Sequence, residues 1–157
     1  MKIKIIVVGK TREKFLQQGE QEFQRRLKHY CQLEQVIVKE EKIISNKTEQ
    51  IIKSKEAERI LAQLTKGSFI IALDREGDQF SSEELAKFIQ QKMNEGYGEV
   101  IFIIGGTLGL GESVLNSAAK VLSLSKMTFT HEMSRLFLLE QLYRAFTILK
   151  GTQYHKA

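Results

Sequence analysis

The chain closes on Gly151-Thr152-Gln153-Tyr154-His155-Lys156-Ala157, which sets a phenol, an imidazole and an ammonium side by side. A phenol ring can stack on a nucleobase, an imidazole can exchange a proton near neutral pH, and an ammonium can contact phosphate. Spacing alone does not separate this set from a frayed terminus with incidental residues. A second pair, Glu140 and Arg144, stands four residues apart inside a strongly apolar stretch. Such an i,i+4 pair commonly supports only its own helix. Ionised groups in so apolar a segment need compensation, however, and the mouth of an active site provides it. Both readings stay open on the residues alone.

Glycines mark further candidates. Val8-Gly9-Lys10-Thr11 carries one glycine and not the G-x-G-x-x-G of a dinucleotide site. Gly105-Gly106-Thr107-Leu108-Gly109-Leu110-Gly111 lacks the Gly-Lys-Ser/Thr ending of a phosphate loop. What remains is a turn whose backbone can approach a ligand closely, although a glycine turn between strand and helix is more often structural.

The elements that must position these residues follow from periodicity. Lys2–Val8, Leu33–Lys39, Ser68–Leu73, Glu99–Ile104 and Val121–Ser125 read as strands. Thr11 to about Tyr30 has helical spacing, and Asn46 with Glu49 resembles a capping box opening a second helix. Ser81 with Glu84 is a second capping box, for a helix to about Asn94. A short helix over Glu112–Ala119 and a long one from about His131 to Leu149 complete the series. Strict alternation of apolar strands and helices implies an α/β fold with a mostly parallel sheet, in one domain spanning 1–157. Ligands then bind beyond the carboxyl ends of strands, here Leu73-Asp74, Ile104-Gly105-Gly106 and Leu122 to Met127. The last helix is apolar around most of its circumference, which implies burial on two sides and predicts a homodimer.

Composition narrows the classes. The net charge of +5 is modest, but +3 of it falls from Val121 onward, which favours an anionic partner such as nucleic acid over a solvated basic tail. Cys31 is the single cysteine and His29, His131 and His155 are scattered, so no metal is expected. No apolar run reaches membrane-spanning length and the start lacks a signal-type segment, so no membrane partner and a cytoplasmic location are expected.

Taken together, several segments resemble one family closely. These are Lys2-Ile3 with Val8-Gly9-Lys10, Ile103-Ile104-Gly105-Gly106 with Gly109-Leu110, and Leu122-Ser123-Leu124-Ser125-Lys126-Met127-Thr128-Phe129. Glu140-Gln141, Tyr143-Arg144-Ala145 and the terminal Tyr154-His155-Lys156 complete the set. The family is the large-subunit (23S) rRNA pseudouridine N3-methyltransferases of the SPOUT class, and the resemblance runs nearly the full chain. One departure is visible: Thr130 stands where the family usually has proline, and the chain contains no proline. Thr130 is still an acceptable helix N-cap.

The resemblance implies a C-terminal trefoil knot, an exception to un-knotted topology. It implies S-adenosylmethionine held by Leu73, Gly105, Gly106, Leu122, Leu124, Ser125, Lys126, Met127, Thr128 and Phe129, largely through backbone groups. It also implies methylation of N3 of a pseudouridine in 23S rRNA, on the assembled 70S ribosome. Under that reading His155 accepts the imide proton or orients the base, Tyr154 positions it, and Arg144, held by Glu140, stabilises the anion or binds phosphate. Arg135 and Lys156 are the candidate RNA contacts. The rival is a non-catalytic, ribosome-associated rRNA-binding factor, which predicts no affinity for S-adenosylmethionine.

Overall fold

A computed structural model describes residues 1–156. In chain order the elements are β1 (Lys2–Val8), α1 (Lys14–Leu27), β2 (Gln32–Val38), α2 (Glu49–Leu61), β3 (Phe69–Gln79) and α3 (Ser82–Asn94). They continue with β4 (Glu99–Ile104), α4 (Glu112–Ser117), β5 (Lys120–Ser123) and α5 (His131–Leu149). The strands form one parallel sheet in the order β2-β1-β4-β3-β5. Parallel strands covered on both faces are predominantly apolar, and every residue of β4 is buried, Val100 to Ile104 all apolar and Glu99 paired with Lys2.

Side chains alternate across the sheet and sort into two cores. Ile3, Ile5, Val7, Ile71, Phe102 and Ile104 face α1, α3 and α5. Ile6, Val8, Ala72, Ile101 and Ile103 face α2 and α4. Lys4 lies on the second face and reaches out of it, its Nζ donating to the Gln63 carbonyl at 2.8 Å. Fully burying a side chain such as Phe102 contributes about 1.5–3 kcal/mol, so β1 and β4 at the centre anchor the loops at their carboxyl ends.

Alternation and element types follow the sequence expectation, with boundary corrections. The N-cap of α2 is Thr48, whose side chain accepts from the Ile51 N–H, and not Asn46. The Ser81–Glu84 capping box is present on both sides. Helix α1 is shorter than its periodic stretch, and α4 stops at Ser117. Strand β3 runs six residues past Leu73, to Gln79. Leu73 and Asp78 both face Leu122, so residues 74–77 bulge outward between two stretches of pairing with β5.

The width of the apolar surface on α5 has an explanation within one chain. Helix α5 lies between α1 and α3 and also packs on β4, so three neighbours share its circumference. Leu138, Leu139, Leu142, Ala145 and Phe146 are buried in this way. The width that suggested a subunit interface is thus covered in large part within one chain, while Leu136 and Phe137 stay partly exposed.

Candidate active site

The carboxyl ends of β3, β4 and β5 meet at one rim of the sheet. After β5 the chain holds its own shape through serine hydroxyls: Ser123 Oγ donates to the Ser125 carbonyl at 2.9 Å, and Ser125 Oγ accepts from the Met127 N–H at 3.0 Å. Thr130 then caps α5, accepting from the Met133 N–H at 3.2 Å. A threonine therefore starts this helix without proline. Behind β4, Gly105 lies under the turn it begins, and a Cβ there would stand 2.6 Å from the Gly109 carbonyl carbon. Its need for glycine comes from its own loop.

Two cavities flank the Leu122–Phe129 loop. One, about 120 Å³, is lined by Leu73, Asp74, Arg75, Ile104, Leu122 to Ser125, Met127 to Phe129, and Ser134. The other, about 440 Å³, adds Phe80, Ser81, Ser82, Leu85, Phe137 and Gln141 to Leu122–Ser125 and Phe129. The larger falls in the range of small-molecule clefts. Phe129 packs against Phe137 with ring centroids 4.8 Å apart, closing one wall.

Of the expected cofactor residues, the structure gathers Leu73, Leu122, Leu124, Ser125, Met127, Thr128 and Phe129 around the smaller cavity, with Gly105 adjoining Ile104. Lys126 stands apart, lining an open cleft with Arg75 to Gln79. Gly106 lines a separate cavity with Arg12, Glu40 and Glu56. A nucleoside offers flat apolar faces and a polar edge. Leu73, Ile104, Leu122 and Phe129 suit the faces and the backbone of the loop suits the edge, so the lining of the Leu122–Phe129 loop matches the chemistry of an adenosine-bearing cofactor, with the larger cavity beside it supplying the volume.

The tail comes back to α5. Arg144 donates to Glu140 Oε1 from Nε at 3.1 Å and from Nη2 at 2.5 Å. The Tyr154 hydroxyl donates to the same oxygen at 3.1 Å, and its ring meets Tyr143 edge-on at 4.7 Å, under the Arg144 guanidinium. Burial and then the Glu140 carboxylate push the phenol above its ordinary pKa, which keeps its proton on the hydroxyl. The Glu140 hydrogen bonds likewise raise Arg144. His155 Nε2 lies 2.7 Å from Glu83 Oε1, and Nδ1 lies 3.5 Å from Arg144 Nη1.

A hydrogen-bonded chain joins tail and cavity. Ser82 Oγ donates to Gln141 Oε1 at 2.7 Å, and Gln141 Nε2 donates to Glu140 Oε2 at 2.7 Å. Glu140, Arg144, Tyr154 and His155 thus form one cluster beside the pocket. Ser82 and Glu83, which lie between the capping-box residues Ser81 and Glu84, were not singled out from the sequence, and Gln141 was given no role. Nothing in their spacing pointed to residues 59 and 72 positions away.

Arg135 requires a correction. It was expected on the RNA-facing surface, but it is 1% exposed. Its Nη2 donates to the Val8 carbonyl at 2.6 Å and its Nη1 to Thr11 Oγ1 at 3.1 Å, while Nε has no partner among the described residues. Nearby, Glu132 accepts from the Arg12 and Glu13 N–H groups at 3.0 and 3.2 Å. Burial raises the Glu132 carboxyl, but these backbone donors bring it below its ordinary pKa. Together Arg135 and Glu132 tie the start of α5, and with it the end of the pocket loop, to the end of β1. Lys156 is exposed.

Comparison with known proteins decides the family. Residues 1–155 match the family model described as "Predicted SPOUT methyltransferase". The chain belongs to the SPOUT methyltransferase family. It is 49% identical over 99% of its length to the ribosomal RNA large subunit methyltransferase H of Halothermothrix orenii, and 48% identical to that of Clostridioides difficile, each relative being covered in full. Among solved structures, a probable methylase family protein from Haemophilus influenzae Rd KW20 shares the fold at TM-score 0.55 and 15% identity, over 99% of this chain and 70% of that one. As a family member this methyltransferase uses S-adenosylmethionine as methyl donor. Among the described residues no helix is long and apolar enough to cross a membrane, and no group of three or more His, Cys, Asp or Glu could hold a metal ion.

Proposed function

We propose that this methyltransferase acts on N3 of a pseudouridine in 23S rRNA within the assembled 70S ribosome. In this reading the whole chain, 1–157, works as one cytoplasmic domain with a trefoil-knotted C-terminal part and functions as a homodimer. The observation that carries the reading is the joining of the Leu122–Phe129 pocket to the Glu140–Arg144–Tyr154–His155 cluster through Ser82 and Gln141. The relatives named above, matched over their full length, act by name on large-subunit rRNA. For the dimer, the support is the partly exposed Leu136 and Phe137 on α5 and the 75%-exposed Met127 in the loop that precedes it.

Bound S-adenosylmethionine supplies an electrophilic methyl group for in-line displacement. The protein's own task is alignment at about 3–3.5 Å and removal of the imide proton. Leu73, Leu122, Leu124, Ser125, Met127, Thr128 and Phe129, with the backbone at Gly105, would hold the cofactor, while Gly106 and Lys126 line neighbouring clefts outside that pocket. Tyr154 positions the base and His155 takes the proton from N3. Arg144, oriented by two hydrogen bonds to Glu140, stabilises the resulting anion. Lys156 contacts phosphate, a role from which burial removes Arg135.

The test is transfer of a labelled methyl group from S-adenosylmethionine to 70S ribosomes, with free subunits, naked rRNA and tRNA in parallel. Label in 23S rRNA from the 70S sample alone is the expected result. Label in tRNA would overturn the substrate, and no label with no cofactor binding by calorimetry would leave a non-catalytic rRNA-binding factor.

A further inference from the structure

We infer that Glu83 is a positioning residue that selects the tautomer of His155, leaving Nδ1 as the atom able to accept a proton. The inference rests on the reading of the tail cluster given above. Glu83 stands in the first turn of α3, and its Oε1 lies 2.7 Å from His155 Nε2. An ionised carboxylate only accepts hydrogen bonds, so Nε2 carries hydrogen. The guanidinium of Arg144 only donates, and its Nη1 faces Nδ1 at 3.5 Å, which opposes a proton there. Of the two tautomers of the neutral ring, both neighbours fit the same one: N–H at Nε2 and a lone pair at Nδ1.

The environment holds both neighbours in their charged forms. The Glu83 carboxyl lies below its ordinary pKa through a hydrogen bond from its own backbone N–H, then through His155 and Ser81. Arg144 is fixed by Glu140, which also receives the Tyr154 hydroxyl. Glu83 therefore stands to His155 as an orienting carboxylate stands to a general base. In the proposed reaction Arg144 shifts its donor from His155 Nδ1 to the anion forming on the base, the N3–H proton passes to Nδ1, and its bonding pair stays on N3. That pair forms the new N–CH₃ bond as the C–S bond breaks, its electrons remaining on sulfur. Arg144 beside Nδ1 then faces the anion as it forms. Glu83 touches neither substrate nor cofactor in this scheme and acts through His155.

The test is ¹⁵N NMR of histidine-labelled protein, with the His155 signals assigned by their loss in His155→Asn. The expected wild-type pattern is a protonated Nε2 and an unprotonated Nδ1 at pH above the imidazole titration. Glu83→Ala should give tautomer-averaged ¹⁵N shifts and lower kcat about 10- to 100-fold, part of the general-base contribution, while KM for ribosomes and cofactor affinity stay within about twofold. Glu83→Gln, whose amide oxygen can still accept from Nε2–H, should restore the wild-type pattern and most of the rate. A proton on Nδ1 in wild type, or unchanged shifts and kcat in Glu83→Ala with wild-type enzyme active, would overturn the assignment. If wild-type protein methylates no acceptor, the reading of the site fails, and the ¹⁵N pattern alone then upholds or overturns the role of Glu83.

Discussion

Arg135→Ala separates a buried strut from a surface contact. In the structure this side chain is enclosed between α5, the end of β1 and the β1–α1 loop, with two charge-assisted hydrogen bonds. Each such bond contributes about 1.5–3 kcal/mol. The desolvation cost of the guanidinium, visible in a pKa held below its ordinary value by burial despite the nearby Glu20 and Glu132, offsets part of this. Truncation also removes a large buried volume and leaves the Val8 carbonyl and two carboxylates without their cation. The net loss expected is about 3–5 kcal/mol, as for breaking other buried charged pairs. At this chain length 1 kcal/mol corresponds to about 2–4 °C, so Tm should fall by about 6–20 °C. Arg135→Met, which keeps most of the volume, should lose about 1–3 kcal/mol. Calorimetric melting of the three proteins, with ribosome pelleting alongside, is the assay. Melting of Arg135→Ala within about 2 °C of wild type, together with weakened ribosome binding, would refute the reasoning and return Arg135 to the RNA-facing surface.

Other outcomes follow from the same structure. His155→Ala should lower turnover about 10²-fold or more while S-adenosylmethionine affinity by calorimetry stays within about twofold; equal loss of both would make His155 structural. Gly77→Ala places a Cβ 2.7 Å from the Val121 backbone, so it should cost about 1–3 kcal/mol in a thermal melt and weaken cofactor binding through β5, whereas unchanged melting and binding would contradict the close β3–β5 contact. Hydrogen bonds from Lys47 and Arg59 hold the Glu41 carboxyl at about 2, down from 4.5. A depressed folded-state pKa stabilises above the ordinary value and the benefit is lost as pH falls through the folded one. The urea-midpoint gap between wild type and Glu41→Gln should therefore shrink between pH 5 and pH 2, and a constant gap would count against the pairing.

The alternation of strands and helices was legible because parallel strands buried on both faces, such as Val100 to Ile104, read as near-continuous apolar runs, and because capping residues such as Ser81 and Glu84 mark helix starts. The tail of β3 was not legible. Asp74 to Asp78 look like a loop, and only the renewed pairing of Asp78 and Gln79 with β5, far along the chain, carries the strand past the bulge at 74–77. Arg135 was misplaced for a related reason. An arginine is exposed by default, and only the Val8 carbonyl and Thr11, more than 120 residues away, satisfy it inside. The width of the apolar surface on α5 was read correctly as burial on two sides, but sequence could not tell α1 and α3 from a second subunit. The tail cluster was partly legible: the residue types of Glu140, Arg144, Tyr154 and His155 marked them as candidates, while Glu83 and Ser82, which hydrogen-bond to the cluster directly and through Gln141, carry no local signal.

The most direct test of the central claim is the chemical identity of the product. Ribosomes from a strain lacking the enzyme would be treated with this protein and S-adenosylmethionine, and the 23S rRNA digested to nucleosides for liquid chromatography–mass spectrometry. The account predicts a single new nucleoside, pseudouridine carrying one methyl group on N3, from 70S ribosomes and not from naked rRNA. A methyl group on any other base or position, or none, would contradict it.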